Sequence, residues 1–241
     1  MKIMHIIDSI GIGGGAESIV AGSIKEMKNY EHCLVTLYRY HEEFELGNIN
    51  VTSLGWKSVW SIPKTVLRLR KIIREQNPDI IHTHLFWSSV IARIVKPKKI
   101  RLVVSIHSLL GVELFKSNRF LWCVEKLLSR KQDGVIAVSK SVWEDYSKQI
   151  IYKGPHYILY NFIPDRFFNH PESLNGKSIY KKCVAIGHFK LAKNYSYLLN
   201  NFKMLSEYDI FLDIYGEGPL EAEMKKFIID NQLQNVSIKG C

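Results

Sequence analysis

Two apolar runs end in histidine. His82-Thr83-His84 closes the run that begins at Asp79, and His107 closes the run from Leu102. If both runs are strands of a parallel sheet, their carboxyl ends line the crevice where such sheets bind ligands. Three rings there are well placed for a ligand and could hold a metal. On a strand His82 and His84 share one face, and His107 could complete a facial set. No carboxylate or cysteine joins them at ligand spacing, so no metal is assigned. Any of the three that is buried needs a hydrogen-bond partner, and that purely structural role stays open for one of them.

Glycine-rich loops supply a second kind of chemistry, the close approach of backbone amides to an anion. Gly11-Ile12-Gly13-Gly14-Gly15-Ala16 follows the first strand-like run and leads into a helix whose first turn carries Glu17. It contains the G-x-G-x-x-A spacing of dinucleotide sites. The glycines begin four residues after Ile7, however, and the second run ends at Tyr38-Arg39 without an acid to hold a ribose. Arg39 leaves an NADP oxidoreductase as a weaker reading. The stronger one is a loop at Gly13, Gly14 and Gly15 that lets a substrate approach backbone amides. Further on, Gly187-His188-Phe189-Lys190-Leu191-Ala192-Lys193-Asn194 links a strand to a helix and suits a diphosphate, with two lysines beside a helix N-terminus. Gly216-Glu217-Gly218-Pro219 ends the next strand, with Pro219 in a favoured first-turn position.

The elements that position these residues alternate. Strands are predicted over 3–7, 33–38, 51–54, 79–83, 102–107, 134–138 and 157–160, with helices over 16–27, 63–75, 87–95, 119–131 and 140–149. Such alternation predicts an α/β fold, a Rossmann-like doubly wound parallel sheet with helices on both faces. Residues 1–170 form this first domain, 171–182 a polar linker rich in turn formers, and 183–241 the start of a second. The second reads as strands 183–186, 210–215 and 236–238 with helices 195–206 and 220–230. A three-stranded sheet with two helices leaves an edge and apolar surface uncovered, which a homodimer or a swapped tail would cover.

The chain has 241 residues, is 46% hydrophobic and 23% charged, and carries a formal net charge of +10. It is neither disordered nor membrane-spanning in composition. Met1-Lys2 runs straight into a strand-length stretch without a signal-peptide pattern, so the expected compartment is the cytoplasm. The four cysteines show no paired spacing and read as buried or plain thiols. Positive charge clusters at Lys64, Arg68, Arg70, Lys71 and Arg74, on one helix behind Trp56 and Trp60. Without aromatics interleaved on an open sheet, or a recognition helix, nucleic acid is not an expected partner. Peripheral contact with the anionic inner face of a membrane is expected instead, weighed against a core helix with a solvated basic face.

Several segments, taken in order, resemble the family-4 retaining glycosyltransferases of GT-B architecture. They are Gly13-Gly14-Gly15-Ala16-Glu17, Asp79-Ile80-Ile81-His82-Thr83-His84, Val103-Val104-Ser105-Ile106-His107, Ile136-Ala137-Val138-Ser139-Lys140, Tyr160-Asn161-Phe162-Ile163-Pro164, Ala185-Ile186-Gly187, Lys193-Asn194 and Tyr215-Gly216-Glu217-Gly218-Pro219-Leu220. The resemblance implies transfer of a sugar from a nucleotide-sugar donor to a glycan or lipid-linked acceptor in polysaccharide biosynthesis, with no cofactor. By the same resemblance His107 is the catalytic histidine near the transferred sugar. Gly13, Gly14, Gly15, Gly187, His188, Lys193 and Asn194 meet the donor phosphates, and His82, His84 and Glu17 lie on the acceptor side. His188 stands where the family has an arginine. The family's paired glutamates, seven residues apart, would fall beyond Cys241, so weak or no transferase activity is expected of the isolated chain. The alternative expectation is a non-catalytic acceptor- or partner-binding module derived from such an enzyme.

Overall fold

The computed structural model describes residues 1–11, 14–38, 46, 49–163 and 181–240. Gly13, Arg39 and most of the predicted linker lie outside them. The chain divides into two compact units, residues 1–168 and 169–241.

In the first unit seven strands form one parallel sheet: β1 (Lys2–Ile7), β2 (Glu31–Thr36), β3 (Asn50–Ser53), β4 (Ile80–His84), β5 (Arg101–Ile106), β6 (Gly134–Ala137) and β7 (His156–Ile158). Their order is β3-β2-β1-β4-β5-β6-β7, so the chain reverses direction across the sheet between β1 and β4. In doubly wound folds that switch point opens the crevice used for binding. Among the described residues five α-helices cover the sheet: α1 (Gly15–Glu26), α2 (Ile62–Gln76), α3 (Phe86–Val95), α4 (Arg119–Leu128) and α5 (Lys140–Gln149).

The strand period of two sorts side chains onto two faces. Met4, Ile6, Val35, Ile81, Val104 and Val135 share one core with Leu69 and Ile73 of α2 and Ile91 and Ala92 of α3. On the other face Ile7 and Leu34 pack under Ala16, Val20, Ala21 and Ile24 of α1. The positions beside them on that face, in β1 and β4, are His5, His82 and His84, and parallel pairing sets His5 opposite His82. Imidazoles thus take positions on this face between aliphatic ones, His5 lying between Ile3 and Ile7.

Boundaries differ from the predicted ones for local reasons. Helix α4 gives way to a 3-10 turn at Ser129–Lys131 rather than running on. A π-helical turn at Gly111–Phe115, absent from the sequence reading, is held by the Gly111 amide donating to Asp145 Oδ2 at 2.7 Å. Strand β7 stops at Ile158, so residues 159 and 160 are not in a strand. Cys33 is buried as expected, whereas Cys123 and Cys183 are exposed thiols.

In the second unit β8 (Lys181–Ile186), β9 (Ile210–Tyr215) and β10 (Val236–Gly240) pair in parallel in the order β10-β9-β8. Helices α6 (Tyr195–Met204) and α7 (Glu221–Asp230) bury Leu199, Phe202 and Met224 against Leu212, Ile214 and Val236. Strand β8 starts two residues earlier than predicted. Lys181 and Lys182 pair with Ile210 and Phe211, which an edge strand tolerates because charged side chains there still reach water. Val184 and Ile186 of the same strand are exposed.

Candidate functional site

The carboxyl ends of β1, β4 and β5 converge on a cavity of about 280 Å³ in the first unit, lined by Asp8, Leu85, Phe86, Ser105 and His107, with Arg93 and Glu125. Leu85 makes the passage from β4 into α3 with φ 71°, a conformation few side chains accept. That tight turn brings the start of α3 over β1. The Ser88 amide donates to Asp8 Oδ1 at 2.8 Å, and the Ser88 hydroxyl donates to the same oxygen. Burial raises the Asp8 carboxyl, against those hydrogen bonds, which pull it down, and the charge of Glu17 adds to the rise.

Glu17 itself folds back over Gly14, the N-cap of α1, so closely that a Cβ on Gly14 would collide with its carboxylate. A negative group therefore already sits at the end of α1 that attracts anions. Hydroxyls fit beside Asp8 and Glu17 better than phosphates do.

Behind the cavity wall runs a chain of four imidazoles. His107 Nε2 lies 3.1 Å from His84 Nδ1, His84 Nε2 lies 3.5 Å from His5 Nδ1, and His5 Nε2 lies 3.1 Å from His32 Nδ1. His32 Nε2 ends the chain by donating to the Met27 carbonyl at 2.9 Å. His82 stands beside the chain, its ring centroid 4.1 Å from that of His84 and its Nε2 2.7 Å from the Ser105 hydroxyl. Burial holds His5, His82, His84 and His107 neutral near pH 7. His107 and His82 are lowered to about 4, and His5 and His84 fall well below the usual range, with neighbouring rings adding to the effect for all but His107. His107 Nδ1 has no partner among the described residues, so a neutral ring can offer either a proton or a lone pair there.

The cavity also reaches an ion pair. Arg93, 1% exposed, grips Glu125 with two hydrogen bonds, Nη1 to Oε2 at 2.6 Å and Nη2 to Oε1 at 2.8 Å. Gln132 Oε1 accepts from Arg93 Nη2 at 2.5 Å, and the Tyr146 hydroxyl donates to Glu125 Oε1 at 2.8 Å. Among the described residues Arg93 Nε has no partner.

In the second unit the loop after β8 is zipped to the loop after β9. The Gly187 amide donates to the Tyr215 carbonyl at 3.0 Å, the Phe189 amide to the Glu217 carbonyl at 2.8 Å, and the Leu220 amide to the Phe189 carbonyl at 3.1 Å. Gly216 and Gly218 are required by this contact: φ is 142° and 151°, and a Cβ on Gly218 would stand 2.7 Å from the Phe189 carbonyl oxygen. His188 belongs to the same zipper, donating from Nδ1 to the Glu217 carbonyl. Lys193 closes a 3-10 turn at Leu191–Lys193, its side chain running beside Gly187. Asn194, at φ 51°, turns the chain into α6, and no side chain caps that helix. Uncapped amides and a lysine beside them form an anion-seeking surface.

The structure thus brings His82, His84 and His107 together on the first unit's sheet and sets Gly14, Gly15 and Glu17 at the start of α1. Gly187, His188, Lys193 and Asn194 share one loop of the second unit. His84 is 2% exposed, with both ring nitrogens turned to other histidines. Sequence reasoning missed His5, Asp8, Arg93 and Glu125. Two charged residues inside apolar helical stretches were the only signal for the last pair.

Residues 13–167 match the family described as Glycosyltransferase Family 4. A Klebsiella pneumoniae protein described as an uncharacterized 41.2 kDa protein in the cps region is 19% identical over 233 residues, 90% of this chain and 64% of its own length. The chain therefore spans less than two thirds of that relative. Among solved structures, the lipopolysaccharide outer core galactosyltransferase WaaB aligns with a TM-score of 0.69 at 17% identity, over 100% of this chain and 68% of its own. Anabaena HepE in complex with UDP-glucose gives 0.77 at 15% identity, over 100% and 69%. S. aureus TarM, in a complex that includes UDP, gives 0.72 at 12% identity, over 99% and 77%.

Proposed function

The chain belongs to glycosyltransferase family 4, and from that membership we propose that it transfers a sugar, with retained anomeric configuration, from a nucleotide-sugar to a glycan or lipid-linked acceptor during polysaccharide biosynthesis. One observation carries the reading: His107 opens onto a cavity at the switch point of a sheet, inside the segment that matches the family. Asp8 would receive acceptor hydroxyls there, and Glu17 at the start of α1. Lys193 and the amides that begin α6 would meet the donor diphosphate, whose charge develops as the sugar leaves. HepE and TarM were both crystallised with a uridine nucleotide, so we take uracil as the donor's base and UDP as its nucleotide.

The test is direct. UDP at a hundred times its dissociation constant should stabilise the chain by about 2.7 kcal/mol, read as a raised melting temperature, while NADPH should leave it unchanged. Radiolabelled UDP-sugars should then transfer label to lipid-extractable or polymeric material. No response to UDP, GDP or ADP would end the proposal.

Among the described residues no helix is long and apolar enough to cross a membrane. We propose that a peripheral contact is made by α2 and the turn before it. Trp60, 90% exposed, begins a stripe that continues through Lys64, Leu67, Lys71 and Arg74, all exposed. The opposite side of α2 is buried through Thr65, Leu69 and Ile73. Basic residues at an anionic surface contribute about 1 kcal/mol each, so Lys64→Gln with Lys71→Gln should weaken binding to phosphatidylglycerol vesicles roughly 30-fold. Equal co-sedimentation of the two proteins would remove this face from consideration.

A further inference from the structure

We propose that His5, His82 and His84 form a binding site for a divalent transition-metal ion, with zinc the preferred occupant. The three rings come from adjacent strands on one face of the sheet, and one nitrogen from each can be chosen so that all lie within 4.8 Å of one another. Three imidazoles with a fourth position left to water are a ligand set zinc uses widely, and imidazole also suits nickel and copper.

The loose link in the imidazole chain points to the ion. His5 Nδ1 and His84 Nε2 are 3.5 Å apart, whereas both flanking contacts are 3.1 Å. Two nitrogens each about 2.05 Å from a tetrahedral zinc stand about 3.3 Å apart, close to the observed gap. His82 is half-buried and, with Nε2 on the Ser105 hydroxyl, keeps Nδ1 to close the set.

The surroundings match what metal-bound histidines require. A ligating ring holds its second nitrogen in a hydrogen bond that fixes its orientation. His5 Nε2 is held by His32, whose own Nε2 donates to the Met27 carbonyl. His84 Nδ1 is held by His107, and His82 Nε2 by Ser105. That leaves His5 Nδ1, His84 Nε2 and His82 Nδ1 as the ligand atoms. The sequence reading considered His107 as the third ligand. The strand register supplies His5 instead and places His107 behind His84.

Such an ion would set the proton on His107. Without it, hydrogen bonds running from Met27 require Nε2–H on His32, His5, His84 and His107 in turn, leaving His107 Nδ1 bare. With a metal on His84 Nε2, the His84 proton sits on Nδ1 and is donated to His107 Nε2. His107 then carries its own proton on Nδ1, as a donor into the cavity.

Equilibrium dialysis of the chelator-treated full chain against Zn²⁺ should find one ion per chain. His5→Gln should weaken binding at least a hundredfold, Ser105→Ala ten- to a hundredfold as expected for an outer partner, and Cys123→Ser with Cys183→Ser not at all. Co²⁺ in the unaltered protein should give tetrahedral-strength visible absorption without a thiolate band, which decides the matter if His5→Gln does not fold. Zinc should also move the His107 proton from Nε2 to Nδ1 in ¹⁵N spectra. Absence of stoichiometric binding, undiminished binding by folded His5→Gln, a thiolate band, or an unchanged His107 tautomer would each overturn the site. None of these readouts needs a sugar substrate.

Discussion

Glu125→Leu should destabilise the first unit by about 3–5 kcal/mol, because it strands a buried guanidinium. Arg93 is 1% exposed, leucine offers no acceptor in place of the carboxylate, and Gln132 satisfies only one of its donors. The Tyr146 hydroxyl loses its acceptor as well. A domain's whole stability is about 5–15 kcal/mol, so this one change approaches the folding threshold. Arg93→Met combined with Glu125→Leu should recover most of the loss, since removing both charges removes the desolvation they suffer. Urea unfolding measures both variants. The single change should move the midpoint far down at constant m, and the pair should return it toward the parent. A single-variant loss below about 1 kcal/mol, the range of an exposed pair, would mean that the ion pair is hydrated after all.

That ion pair also marks the limit of what sequence reveals here. The parallel alternation was legible because Ile80-Ile81 and Val103-Val104 are continuous apolar runs, as strands covered on both faces require. Helix α5 was predicted with its observed bounds. Ser139 precedes it, and its side chain accepts from the Val142 amide as the N-cap. The histidines at the ends of β4 and β5 were also visible, since position at a strand end is a local property. Their partner His5 was not, because pairing it with His82 needs the register of β1 on β4, a tertiary fact. Arg93 and Glu125 were not singled out, since they lie 32 residues apart on separate helices and only the packing of those helices pairs them. The π-helical turn depends on Asp145 reaching Gly111 from another helix. Local patterning thus fixed the elements, while contacts between elements decided which polar groups became buried.

Lys193→Ala should reduce sugar transfer by two to three orders of magnitude if Lys193 meets the departing diphosphate, the range seen when one preorganised donor to a developing charge is removed. The geometry supports placing it there. Lys193 ends a short turn directly before Asn194 and the uncapped start of α6, so its charge and the helix amides act on the same anion. His188, the other candidate in this loop, is tied by Nδ1 to the Glu217 carbonyl, which leaves that nitrogen nothing to offer the anion. Charge that develops on bond breaking is felt in kcat, whereas a diphosphate bound equally before and during reaction is felt in KM. The expected signature is therefore a loss mostly in kcat with UDP affinity reduced less, and partial rescue by Lys193→Arg, which restores charge with a different donor geometry. Lys190→Ala, at the residue just before the turn, should cost less than tenfold. A loss confined to KM would reassign Lys193 to ground-state binding, and equal losses in Lys190→Ala and Lys193→Ala would reduce both to a diffuse positive field.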